Sequence, residues 1–177
     1  MTCSNKDVPS DSDPSRTLVL PVDGNSILLG RKKKYNNKPF CVNKYAGFGG
    51  KIGQKESVKQ AAIRECKEKC GIIVTKMTKV AIINFMDDYD TIANVHAFIA
   101  TEWDGEPIET KDVAPHWFDK RNIPYEKMWD IDIYWLPAVL SGKKLQADFK
   151  FHSTDETIID ISNSIKHVAF EIVNKLK

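Results

Sequence analysis

No apolar run in this sequence approaches the roughly 18 residues that a membrane-spanning helix requires. The first residues, MTCSNKDVPSDSDPSR, lack the apolar stretch of a secretory signal, and their three aspartates argue against a mitochondrial import sequence. Cysteine is scarce: Cys3, Cys41, Cys66 and Cys70 form neither a CxxC pair nor a zinc spacing. A chain of 177 residues does not need disulfide staples, so these are expected to be reduced thiols of a cytoplasmic protein, with nucleus or mitochondria also compatible. Charge of one sign is lacking too. The 26 Lys and Arg nearly balance the 24 Asp and Glu, which points away from a nucleic acid polymer or an anionic membrane as partner. Internal repeats and dividing linkers are absent, so one domain is expected over residues 16–177, behind a loose polar tail at 1–15.

The core begins at Thr17-Leu18-Val19-Leu20 and resumes at Ile27-Leu28-Leu29, with a Asp23-Gly24 turn signal between them, which predicts a hairpin. The basic, Asn-rich stretch from Arg31 to Lys44 reads as a loop. Ser57 as N-cap and Gly71 as stop predict a helix over 57–70, with Val58, Ala62, Ile63, Cys66 and Cys70 on its apolar side. Strands are expected at 79–86, 93–101, 145–151 and 157–161, and a short helix at 133–140. Ile165, Val168, Ala169, Ile172, Val173 and Leu176 keep helical spacing, which predicts an amphipathic C-terminal helix over about 164–176. Helices and strands mix without regular alternation, the pattern of an α+β fold.

One segment carries chemistry. A glycine-rich strand end, Gly47-Phe48-Gly49-Gly50, runs through a loop into the predicted helix, which displays Glu65 and Glu68 three residues apart on one face. Solvated surface is the commoner fate of such acids. Two carboxylates held side by side nevertheless repel unless a cation lies between them, and magnesium suits oxygen ligands and substrate phosphates. The four histidines share no metal-ligand spacing, and no serine or cysteine has the setting of a nucleophile.

The spacing G-x5-E-x7-R-E-U-x-E-E-x-G-U, with U a bulky aliphatic, resembles the Nudix box. Gly50, Glu56, Arg64, Glu65, Glu68, Gly71 and Ile72 match it, and Cys66 fits loosely. Within that family the likeness is to enzymes that act on oxidised purine nucleoside triphosphates. It extends over TLVL at 17–20, ILLG at 27–30, GFGGK at 47–51, KMW at 127–129, YW at 134–135 and FKF at 149–151. The resemblance implies the Nudix fold, a central mixed β-sheet sandwiched between α-helices. It implies hydrolysis of a modified, 8-oxo-dGTP-like purine nucleoside triphosphate to monophosphate and pyrophosphate, as nucleotide-pool sanitation by a monomer, with Mg2+ or Mn2+ as cofactor. Carried over by position, Glu65, Glu68, Arg64 and Glu56 are the catalytic set. Gly49, Glu65, Glu68 and Asp112 are the metal set. Thr17, Lys32, Lys51, Phe85, Trp129, Asp132 and Trp135 bind substrate, with Leu18 beside them; Trp129 stacks on the purine and Asp132 bonds its edge.

Three departures bear on this. Lys69 stands where the family has a glutamate; at about 6 Å from a divalent ion and an effective dielectric near 20, its ammonium is repelled by on the order of 5 kcal/mol. Swinging away toward solvent or pairing with Glu65 would lessen that cost. Ile131 replaces the first of two aspartates that read the base, and Ala46 replaces an asparagine. Each removes a polar contact worth roughly 1–3 kcal/mol when buried. The loop before Ala46 is longer than usual, so either Tyr35 or Phe40 is the pocket aromatic. Two further readings stay open: a family member with drifted nucleotide choice, and a catalytically silent domain that binds nucleotides or a partner.

Overall fold

The structure is a computed structural model that describes residues 15–33, 42–86, 91–151 and 165–176. The expected strand at 157–161, most of the tail and both Tyr35 and Phe40 lie outside the described residues. Ser15, assigned to the tail, is the first residue of strand β1 (Ser15–Asp23). Strand β2 (Ser26–Lys32) returns antiparallel, pairing Val22 with Ile27 and Asp23 with Ser26, so the hairpin forms around Gly24 at φ 52°. Arg31 and Lys32, expected in a loop, extend β2 and pair with Tyr45 and Ala114 or with Val113 on their neighbours.

The chain continues through β3 (Tyr45–Ala46), helix α1 (Val58–Cys70), β4 (Ile73–Met86), β5 (Thr91–Asp104), β6 (Val113–Asp119), helix α2 (Asp132–Leu140), β7 (Leu145–Phe151) and β8 (Ile165–Ile172). The sheet runs β3-β2-β1-β5-β4-β7-β8, with β6 on β2. It is mixed: β1 with β5 and β4 with β7 are parallel, while β4 with β5 and β7 with β8 are antiparallel. This is the expected α+β architecture, with a helix on each face.

The expected C-terminal helix is a strand. β8 pairs antiparallel with β7, from Ile165 opposite Phe151 to Ile172 opposite Leu145. Val168-Ala169-Phe170-Glu171-Ile172 alternates apolar and polar or small as well as matching helical spacing, so periodicity over so short a run does not separate the two. The β7 edge, with its row of backbone donors and acceptors, decides in favour of a strand.

Alternation along β1 divides the interior into two cores. Leu20 and the partly buried Leu18 pack with Ile83, Ala97, Phe149 and the α2 residues Trp135, Leu136 and Val139. Val19 packs with Leu28, Phe48, Phe98 and the α1 residues Ala62, Cys66 and Cys70. The helix α1 is closed at both ends. Ser57 Oγ accepts from Gln60 N while the Gln60 side chain accepts from Ser57 N, a reciprocal box. Gly71 at φ 81° donates its N–H to Lys67 O, a conformation that costs glycine little. Cys66 and Cys70 are fully buried free thiols with sulfurs 3.8 Å apart, and their hydrogen bond together with burial pushes the Cys66 thiol up.

Candidate active site

The acids of α1 sit against a backbone segment where glycine is obligatory. Thr17 N donates to Gly50 O and Val19 N to Phe48 O, so the intervening Gly49 carbonyl points away from β1. A Cβ on Gly49 would overlap the Thr17 carbonyl, and one on Gly50 would overlap the Glu65 carboxylate. The absence of side chains is therefore what lets Glu65, 9% exposed, lie against this strand end.

Arg64 organises the rest. Its Nε and Nη2 grip Glu56 at 3.0 and 2.6 Å, and Nη2 also donates to Lys51 O at 3.1 Å. Its Nη1 donates to Glu65 at 2.9 Å and to Glu68 at 3.3 Å, so the two carboxylates converge on one nitrogen. Glu56 additionally accepts from Gly53 N, which closes the loop before α1. The Arg64 hydrogen bonds hold the Glu56 carboxyl below its usual range, and Glu56 in turn raises Arg64. Lys69 Nζ stands 3.6 Å from Glu65 Oε2 one turn further on, so Glu65 faces two cations of its own helix.

Asp112 is not brought into this group: it is exposed at the entry to β6, where its carbonyl accepts from Lys33 N. Among the described residues no three His, Cys, Asp or Glu side chains are grouped to hold a metal. The donors that do converge, two carboxylates beside a carbonyl turned out of the ladder, are hard oxygens. That set fits magnesium, which is held by one or two carboxylates plus waters and phosphates.

Across the sheet, on the α2 face, lies the second half of the predicted site. Asp132 is 6% exposed; its Oδ1 accepts from Trp135 Nε1 at 3.0 Å and its Oδ2 from Trp129 N at 3.2 Å. Burial pushes its carboxyl up to about 7, against those two hydrogen bonds and the charges of Lys32 and Lys44, which pull it down. Phe85, Leu18 and Trp129 pack against the same core, and Phe85 stacks on Phe149 at 5.9 Å. Thr17 goes elsewhere. Alternating with Leu18, it faces the α1 side with Val19, is 2% exposed, and its hydroxyl has no hydrogen-bond partner. Lys32 Nζ and Lys44 Nζ lie 5.6 and 5.3 Å from the Trp129 ring centre. Lys44 was not singled out from the sequence; it ends a basic stretch that reads as a loop, and its anchor, the Met128 carbonyl, lies 84 residues away. Ala46 and Ile131 are both buried, 8% and 5% exposed, and Ile131 belongs to this core.

A mixed sheet between two helices, with a glycine-rich strand end feeding an acid-bearing helix, defines a domain of the Nudix type. The chain matches the NUDIX domain over residues 13–139 and belongs to that family. It is 40% identical over 140 residues to the oxidized purine nucleoside triphosphate hydrolase of Danio rerio, covering 78% of this chain and 87% of that one. To the protein of the same name in Mus musculus it is 36% identical over 147 residues, 82% and 91% of the two chains. Its fold is that of the mutator MutT protein of Bacillus halodurans, with a TM-score of 0.70 at 22% identity over 89% of this chain and 97% of that one. No helix among the described residues is long and apolar enough to cross a membrane.

Proposed function

We propose that the protein is a magnesium-dependent diphosphatase that hydrolyses oxidised purine nucleoside triphosphates to the monophosphate and pyrophosphate, acting as a monomer in the cytoplasm. The observation that carries this is the convergence of Glu65 and Glu68 on Arg64 beside the Gly49–Gly50 strand end. The relatives named for that activity, which cover most of the chain, supply the substrate class.

Glu65, Glu68 and the Gly49 carbonyl would hold the ion. When bound, magnesium neutralises charge on the phosphate oxygens and lowers the pKa of a bound water. The chain's own residues do the rest. Arg64 locks the loop to the helix through Glu56 and the Lys51 carbonyl, which fixes where the Lys51 ammonium meets the phosphates. Trp129 offers its face to the purine, worth about 1–3 kcal/mol of stacking. Asp132, half-ionised near neutral pH, can accept or donate at the base edge. Phe85 and Trp135 enclose that end and exclude water.

The Lys69–Glu65 ion pair favours a second reading, in which the domain binds nucleotides without cleaving them. A pyrophosphate-release assay with magnesium, run on the natural protein and Lys69→Glu over a panel of oxidised purine triphosphates, separates the two. Release by the natural protein, raised about tenfold or more in the variant, is the expected result. Release by the variant alone establishes the silent reading, and inactivity of both overturns the hydrolase.

A further inference from the structure

We propose that Lys44 is a specificity-determining residue of the base site: with Lys32 it selects a purine whose edge presents a carbonyl oxygen over one that presents an amine there. The inference rests on the functional reading above only in taking Trp129 as the surface on which the base stacks.

Among the described residues the charged groups around Trp129 are lopsided. Ile131, buried in the core that Trp129 packs against, brings no polar side-chain atom. Asp132 brings two oxygens, and each already accepts an N–H from its own chain, from Trp135 and from the Trp129 backbone. Two ammonium groups stand beside them, both on half-buried lysines within 5.6 Å of the indole centre. Lys44 is tethered: its Nζ donates to the Met128 carbonyl at 2.9 Å, at the residue preceding Trp129. A lysine has three N–H donors and no acceptor, so one bond to Met128 leaves two for a ligand.

Donors of that kind read acceptors. A 6-oxo purine places a carbonyl oxygen and N7 where an ammonium can bond them, whereas a 6-amino purine turns N–H groups toward N–H groups. A donor left facing a donor in a partly desolvated site loses its water without gaining a bond, and that penalty is what discriminates. The charge balance acts in the same direction, with two ammonium groups set against one carboxylate.

Isothermal titration of the full chain with dIMP and dAMP, which differ only at the six-position edge, tests this without any hydrolysis. The natural protein should bind dIMP about tenfold or more tightly than dAMP, the effect of one charge-assisted hydrogen bond. Lys44→Met should bring the ratio to within about threefold by weakening dIMP alone. Lys44→Gln, which is one atom shorter, uncharged and brings an acceptor, should do the same and guards against a folding defect in one variant. Equal weakening of both nucleotides would mean that Lys44 only attracts the phosphate, and overturns the proposal, as does a natural preference for dAMP or no measurable binding of either. The dIMP preference can hold in a protein that releases no pyrophosphate, so failure of the hydrolase reading is seen separately.

Discussion

The two faces of the sheet solve the problem of a buried carboxylate in opposite ways. On the α1 face Glu65 is 9% exposed and is surrounded by its own helix's cations, Arg64 at 2.9 Å and Lys69 at 3.6 Å. On the α2 face Asp132, 6% exposed, receives neutral donors at hydrogen-bond distance among the described residues, and its carboxyl rises to about 7. Cations are set against the carboxylate at one site, and the carboxylate's charge is made labile at the other. A phosphate-handling centre needs fixed charge to hold a cation. A base-reading centre gains from a group whose proton can come and go near neutral pH.

The sharpest way to break this contrast is to remove the fixed charge. Glu65→Gln keeps the shape packed against Gly50 but removes the negative charge. We expect pyrophosphate release to fall on the order of a hundredfold or more, as for loss of one group that stabilises transition-state charge. With the base held on the other face as proposed, binding of a nucleoside monophosphate should stay within a few-fold by titration. A parallel loss of monophosphate binding would mean that the faces are not separable.

The α1 half was legible from the sequence because its parts are local. Glu56, Arg64, Glu65 and Glu68 lie within one loop and one helix, and the helix bounds are set by Ser57 and Gly71, which the chain announces. What escaped was long-range. Lys44 acquires a role only by reaching Met128, and Asp112 is separated from α1 by two long strands. Thr17 and Leu18 were both placed at the base, yet adjacent residues of a strand face opposite ways, so only Leu18 shares the core of Trp129. β8 failed for a related reason: its partner edge on β7, not its own periodicity, determined its conformation.

The labile side gives a smaller effect with a definite sign. In the unfolded chain the Asp132 carboxyl titrates near 3.8, and in the folded protein near 7. Between those values the folded state binds more protons, so this group's contribution to stability falls as pH rises from about 4 to about 7 and is flat above. Thermal melts of the natural protein and Asp132→Asn across that window should therefore diverge. The natural protein should lose several degrees relative to the variant on going from pH 4.5 to pH 8. Parallel curves would show that Asp132 is charged throughout and that the contrast between the faces is one of geometry alone. Glu56 tests the same linkage with the opposite sign. Its carboxyl is depressed by Arg64, so its contribution is present above the unfolded value of 4.5 and is lost as the pH drops through the lower folded value.

The smallest effect concerns what holds the fixed charges in place. Ser57 Oγ accepts from Gln60 N at 3.2 Å, and the Gln60 side chain accepts from Ser57 N at 2.8 Å. Ser57→Ala removes one of the two bonds and should cost about 1 kcal/mol in a denaturant melt. Activity should nevertheless be unchanged at a temperature well below the transition. The position of Arg64 is fixed independently by Glu56 and by the Lys51 carbonyl, both in the loop that precedes the helix. If the variant instead loses activity in proportion to stability, the helix start and not the arginine network sets the register of Glu65. The ion pairs would then be a consequence of the helix rather than its anchor.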